Sequence, residues 1–467
     1  MVIKKRGLVL GAAAVAVTSV TVTAAGLHLY KGQAFLRESS GEVTASDGSL
    51  QPMSMLSLQA LFRQSPKELV DEVWQIVDRN YVDGTFNQKD WKGLRKQYLN
   101  RSYTNREEAY KAIREMLKQL NDPYTRFMDP DEFKSMQIDT SGELTGVGIQ
   151  LAADEKTKKL TVIAPIEDSP AFSAGILAKD IITSIDGIST EGMDVNKAVT
   201  LIRGPVNTKV KLSVLRGNQS MDFTIKRARI EIHPVRSSYR QNPSGGIGYI
   251  RLVQFSANAP ADMRKAIDSL EKQNVAGYIL DLRSNPGGLL DTSIDIARMW
   301  LKSGAIVSTV NRQGEQSRAQ SEGRALTNKP LVVLVDGGSA SASEILSGAL
   351  QDNKRAVLVG TKTFGKGLVQ SVRGLPDGSG LAVTIAKYLT PNGRDINKHG
   401  IDPDVEVKLT DEQRKALSGD RDRIGTPADP QYAKALEVLN QQIAKTQQAP
   451  RAQLKNQPVV VQESQPQ

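Results

Sequence analysis

Residues 336–345 read Asp-Gly-Gly-Ser-Ala-Ser-Ala-Ser-Glu-Ile: a glycine pair, three serines at alternate positions, then an apolar run with helical spacing. A serine hydroxyl is a weak nucleophile until a neighbouring base takes its proton, most often a histidine. The chain has three, His28, His233 and His399. His28 sits in an apolar N-terminal run, and no partner pattern surrounds the other two. No Gly-x-Ser-x-Gly element is present to support a histidine-based hydrolase built on His399. Residues 360–367, Gly-Thr-Lys-Thr-Phe-Gly-Lys-Gly, match most of a nucleotide-binding loop, but Gly367 stands where a hydroxyl should hold magnesium. Lys366 is therefore open to another use. An amine acts as a general base only when neutral, and burial favours the neutral form because the ammonium loses hydration. Phe364, Leu368 and Val369 are the expected apolar setting. Moving a lysine from about 10.4 to about 7 or 8 asks the fold for roughly 3–5 kcal/mol. Gln370, four residues on, can accept a hydrogen bond from such an amine without adding a charge. A third element, residues 281–288 (Asp-Leu-Arg-Ser-Asn-Pro-Gly-Gly), reads as a strand entering a turn whose glycines let backbone amides approach a ligand.

Together these elements resemble the carboxyl-terminal processing peptidases, tail-specific proteases that use a Ser-Lys pair. The resemblance covers most of residues 66–408. It implies Ser341 as nucleophile, Lys366 as base, Gln370 as the family's glutamine, and the amides of Gly287 and Ala342 as the oxyanion hole. Amides aimed at a developing negative charge are worth several kcal/mol to a transition state. Residues 141–229 resemble a PDZ domain, in which Gly146, Val147, Gly148 and Ile149 of the Thr145–Ile149 loop would receive a substrate's C-terminus. Lys179 and Asn207 stand where that pattern usually has glycine, which puts the turn geometry there in question. The implied activity is a serine endopeptidase cutting near the C-termini of exported proteins. It needs no cofactor and no metal. The alternative of another class is a non-catalytic ligand- or peptide-binding scaffold of the same fold.

The elements that must position these residues are legible in outline. Ser65, Pro66 and Glu68 form a capping box ahead of Leu69, Val73, Trp74, Ile76 and Val77, and Thr104 with Glu107 repeats it before Ala109, Ile113, Met116, Leu117 and Leu120. Residues 141–229 change to short β-rich runs with glycine turns around one helical patch, Val195–Ile202. From residue 246 strand-like runs alternate with helical periodicity at 259–273, 289–301 and 341–352. The fold class is α/β, multi-domain, and the resemblance makes the core ClpP/crotonase-like with an inserted PDZ domain. The expected divisions are a signal or anchor (1–30), a linker (38–56), an N-terminal helical segment (57–138), the PDZ domain (139–230), the protease core (231–408), a C-terminal helical extension (409–447) and a disordered Gln/Pro-rich tail (448–467).

At 467 residues the chain holds several domains, and its lack of cysteine excludes disulfides and thiolate metal sites. The formal charge is +10, but basic residues are scattered among carboxylates, and the one tight group, Lys4-Lys5-Arg6, belongs to the N-terminus. Nucleic acid is therefore not an expected partner; protein tails are. A basic start, an uncharged stretch over 7–29 and a small-residue end make a secretory layout, long enough to anchor in a membrane if uncleaved. The resemblance then implies the periplasm or the thylakoid lumen.

Overall fold

The computed structural model describes residues 65–454 except 155, 156, 158 and 167, together with the backbones of Val20–Thr23 and Gly26–Leu29, an antiparallel hairpin. The rest of the expected signal (1–30), the linker (38–56) and the tail beyond 454 lie outside the described residues. Among those described, no helix is long and apolar enough to cross a membrane. The chain forms two compact units: Met1–Phe133 with Val369–Ala386, and Lys134–Leu368 with Lys387–Gln467.

In the first unit, helices Pro66–Asn80, Trp91–Leu99 and Arg106–Lys118 share a core around Val73, Val77, Ile113 and Met116. The capping box at Ser65 forms as expected: its hydroxyl accepts from the Glu68 amide, and Glu68 Oε2 accepts from the Ser65 amide at 2.7 Å. The second cap lies one residue later than expected. Asn105, extended at φ −150° and ψ 174°, accepts from the Glu108 amide, while the Glu108 carboxylate takes up the amide and hydroxyl of Thr104. Helix Trp91–Leu99 was not expected; Gly93 in its first turn hides its pattern. Strand Arg126–Met128 pairs antiparallel with Gly380–Leu389, which also neighbours Leu368–Gly374.

In the second unit the β-rich segment forms a sheet ordered Gln219–Lys226, Lys209–Arg216, Ile181–Ile185, Leu160–Pro165 and Ile149–Ala153, with helix Val195–Ile202 over its core. Ile149–Ala153 is an edge strand of that sheet. The α/β part has six strands in the order Val235–Arg240, Ile247–Leu252, Gly277–Asp281, Leu331–Val335, Val357–Gly360 and Val405–Glu406. The first pair is antiparallel and the rest are parallel. Every residue of Gly277–Asp281 and Leu331–Val335 is buried, as parallel strands covered on both faces require. Helix Pro430–Leu454 lays Tyr432, Ala435, Leu439 and Ile443 on Ile247, Ile279, Val332 and Val359. It runs beyond the expected boundary at 447 into the first residues read as disordered tail, through the good helix formers Gln447 and Gln448.

The two doubtful turn positions keep the left-handed backbone that glycine would adopt, with φ of 70° at Lys179 and 71° at Asn207. Asn tolerates this conformation, whereas lysine has a Cβ that crowds the carbonyl and no side chain suited to local bonding. Replacing Lys179 by glycine removes that crowding at the cost of greater freedom in the unfolded chain. The expected net gain is about 0.5–1 kcal/mol, readable as a rise in the chemical-denaturation midpoint. An unchanged or lower midpoint would remove the strain argument.

Candidate active site

The three sequence elements lie at equivalent places in the fold. Residues 281–288 leave the end of strand Gly277–Asp281, the serine run follows Leu331–Val335, and the lysine loop follows Val357–Gly360. These are neighbouring parallel strands, so all three motifs gather at the carboxyl edge of the sheet, where open α/β sheets hold ligands.

Hydrogen bonding separates the serines of the run. Ser339 Oγ donates to Leu282 O at 2.9 Å and Ser343 Oγ donates to Asn285 O at 2.9 Å, so both fasten the loop to the neighbouring turn. Ser341 Oγ is buried and has no hydrogen-bond partner among the described residues. Its backbone, at φ 55° and ψ −114°, is in a region L-residues avoid, at a cost of order 1–3 kcal/mol. Strained backbone of this kind is how a strand-to-helix turn presents a nucleophile.

Glu344 holds that strain in place. This fully buried carboxylate accepts four hydrogen bonds: Oε1 from the Thr363 hydroxyl (2.6 Å) and the Gly365 amide (2.7 Å), and Oε2 from the amides of Ser341 and Lys366, each at 2.9 Å. One oxygen thus ties the main chains of both candidate catalytic residues. On the carbonyl side, the Tyr388 hydroxyl lies 3.1 Å from Ser341 O and also bonds Lys366 O. The sequence offered a signal for Glu344, but an ambiguous one, because a glutamate three residues after a serine at a helix start reads as a capping box.

Lys366 is half-buried, and of the apolar residues expected near it Val369 is buried, Leu368 half-buried and Phe364 exposed. Phe364 is 56% exposed, its amide committed to Ser339 O. The close neighbours of the loop are instead backbone: a Cβ on Gly365 would meet Gly400 N at 2.9 Å, and one on Gly367 would meet Asn397 N at 2.7 Å. Gln370 belongs to the first unit, where its Nε2 donates to Thr384 Oγ1 at 3.4 Å and its buried Oε1 has no partner among the described residues. His233, read as lacking a partner, has Nδ1 2.9 Å from Asp262 Oδ2 on an exposed face.

Gly287 packs directly against Ser341. With φ at 102°, a Cβ there would lie 2.9 Å from both Ser341 Cβ and Ala342 N. Its amide donates to Asn285 Oδ1 at 2.9 Å, whereas the Ala342 amide, at the first turn of helix Ala342–Asp352, has no intrahelical acceptor. At Gly148 φ is 82°, and a Cβ would collide with Ser169. The carbonyls of Val147 and Gly148 accept from the amides of Ala171 and Ile166 at 2.8 and 2.9 Å, which fixes the loop Gly146–Ile149.

A buried ionic cluster, absent from the sequence reading, supports the turn that carries Gly287. All five side-chain N–H groups of Arg283 are used: Nε and Nη2 on Asp281, Nη2 and Nη1 on Asp429, and Nη1 on Gln431, at 2.6–3.1 Å. Burial alone would push the Asp281 carboxyl up, but Arg283, aided by Arg251 and the Tyr249 hydroxyl, holds it below the usual carboxylate range. Its trace in the sequence is two charges closing an otherwise apolar strand. Among the described residues no cluster of three His, Cys, Asp or Glu could hold a metal ion.

The chain has relatives of known family. Residues 246–407 match the model of peptidase family S41, residues 161–216 a PDZ domain, and residues 62–118 the tricorn protease C1 domain. A carboxyl-terminal-processing protease of Synechocystis sp. is 47% identical over 82% of this chain and 89% of its own length. The chloroplastic carboxyl-terminal-processing peptidase 2 of Arabidopsis thaliana is 43% identical over 71% of this chain and 67% of its own. A solved photosystem II D1 C-terminal processing protease superposes with a TM-score of 0.51 at 37% identity, covering 79% of this chain and all of that one.

Two substitutions test the buried charges. Glu344→Gln keeps the shape but turns one acceptor into a donor, and either orientation of the new amide faces a backbone N–H. Peptide cleavage should fall by about a hundredfold, since a misplacement of order 1 Å costs that much; near-normal turnover would remove Glu344 from its positioning role. Arg283→Leu strands two buried carboxylates and should cost about 3–5 kcal/mol in denaturant unfolding. Because the folded-state pKa of Asp281 is lowered, its contribution to stability is complete above its unfolded value of about 3.9 and is lost as pH falls through the folded value. Unfolding midpoints should therefore drop on acidification below about pH 4, and less so in Asp281→Asn.

Proposed function

The chain belongs to peptidase family S41 and to its carboxyl-terminal-processing proteases, and we propose that Ser341 and Lys366 carry its chemistry as nucleophile and general base. The observation that supports this most directly is the sharing of Glu344 Oε2 by the two main-chain amides, beside a serine hydroxyl with no hydrogen-bond partner among the described residues. Neutral Lys366 takes the Ser341 proton as Oγ bonds to the substrate carbonyl carbon, and the oxygen becomes an oxyanion. The Ala342 amide receives it, joined by Gly287 once its amide leaves Asn285. The C–N bond then breaks, with the Lys366 ammonium giving its proton to the departing amine. Water, giving a proton to the neutral Lys366 amine, attacks the acyl ester; the bond from Ser341 Oγ to the acyl carbon breaks, the acid leaves, and Lys366 returns the proton to Oγ. Gln370 enters from its position in the chain, four residues beyond the base, as acceptor for the amine.

The PDZ domain is the capture device in this reading. Gly146, Val147, Gly148 and Ile149 receive a terminal carboxylate, and the open edge of Ile149–Ala153 pairs with the peptide behind it. We assign residues 139–230 to capture and 231–408 to cleavage. The substrates are exported proteins with free C-terminal tails, and the N-terminal segment delivers the enzyme to a periplasm or thylakoid lumen, in keeping with cyanobacterial and chloroplastic relatives. The relatives compared are named as proteases, so the non-catalytic scaffold is set aside.

The test is trimming of a protein with an unstructured C-terminal tail, followed by mass spectrometry. Ser341→Ala and Lys366→Ala should each lower turnover by about a thousandfold or more, while His399→Ala should cut at the normal rate. Wild-type trimming by either dyad variant would sink the assignment.

A further inference from the structure

A glutamine amide has two ends of nearly the same shape, and the role given to Gln370 works with only one of them outward. The oxygen can accept from a lysine amine and leave its lone pair free for a proton. The NH2 group would donate to that lone pair and suppress the base. We propose that Asp122, acting through Thr384, sets this orientation, making both of them positioning residues for the proteolytic reaction.

Donor and acceptor accounting carries the inference, entirely within the first unit. Asp122 lies in the turn before strand Arg126–Met128, Thr384 on Gly380–Leu389 and Gln370 on Leu368–Gly374. Asp122 Oδ1 accepts from the Tyr124 amide at 2.9 Å, and Oδ2 accepts from the hydroxyls of Thr125 and Thr384, each at 2.7 Å. At that distance from a carboxylate oxygen, each hydroxyl proton lies on the line to Oδ2. Thr384 has no second proton, so toward Gln370 it is an acceptor only. The group facing it across 3.4 Å is therefore Nε2, which leaves Oε1 turned away. Gln370 and Thr384 are both 1% exposed, so water does not relax this choice. Oε1 is accordingly a buried acceptor with no described partner, a state that costs free energy unless a donor arrives.

The inference rests on the proposed role of Gln370, and the experiment separates the two. Asp122→Asn is nearly isosteric. Its oxygen stays on the Tyr124 amide, its NH2 faces the two hydroxyls, and Thr384 then has a proton to give to Gln370 Oε1, turning the amide over. On a tail peptide, kcat should fall about tenfold with KM changed less than about twofold. Thr384→Val, which removes the hydroxyl, should behave likewise, and Thr384→Ser should restore the rate. In a Gln370→Ala background neither Asp122→Asn nor Thr384→Val should lower kcat further, because the group they orient is gone. If Asp122→Asn fails to fold, Thr384→Val and the same background decide. Normal kcat in these variants, or a loss that persists without Gln370, would overturn the inference. Ser341→Ala run in parallel reads the dyad separately: a dead Ser341→Ala with unaffected orientation variants sinks only the role of Asp122 and Thr384.

Discussion

One carboxylate inside a protein core governs the arrangement of the site. Glu344 has no exposed surface, and a charge so placed is tolerated only when donors surround it. The fold supplies four, drawn from two separate loops, and in satisfying the carboxylate they bring those loops together. The need to solvate a buried anion is thus what joins the Ser341 loop to the Lys366 loop. The strained backbone of Ser341 persists for the same reason. Its amide is held by Glu344, and its carbonyl by Tyr388 and the first amides of helix Ala342–Asp352.

The sheet contributes the rest by topology. Three parallel strands, lying side by side in the order they occur along the chain, end at one edge, and each continues into one of the motifs. Strand pairing alone already brings segments far apart in sequence to one edge. Arg283 and its two carboxylates then lock the first of these ends, so that the glycine behind it can touch Ser341. Catalytic geometry here is an outcome of ordinary sheet and core physics, with buried charges as its fasteners.

Much of this was legible in the residues. Strands such as Leu331–Val335 are unbroken apolar runs, and helices such as Pro66–Asn80 carry both period and cap. The dyad candidates stood out because a serine run and a Gly-Lys-Gly loop have no good bland explanation together. What stayed hidden depends on partners distant in sequence. Glu344 looks like a cap until Gly365 and Lys366 are seen on its far side, and Arg283 meets Asp429 across 146 positions. The exposure of Phe364 was not legible because closeness in sequence does not say which way a loop residue faces. Helix Pro130–Ser141 escaped notice because its few apolar residues define no continuous stripe.

The near-complete burial of Ser341, 1% exposed, bears on how such an enzyme lives among other proteins. The rigid surface of a folded bystander cannot descend to a hydroxyl that solvent itself hardly touches. An extended, unfolded stretch of polypeptide is the slimmest form in which another protein could come near it.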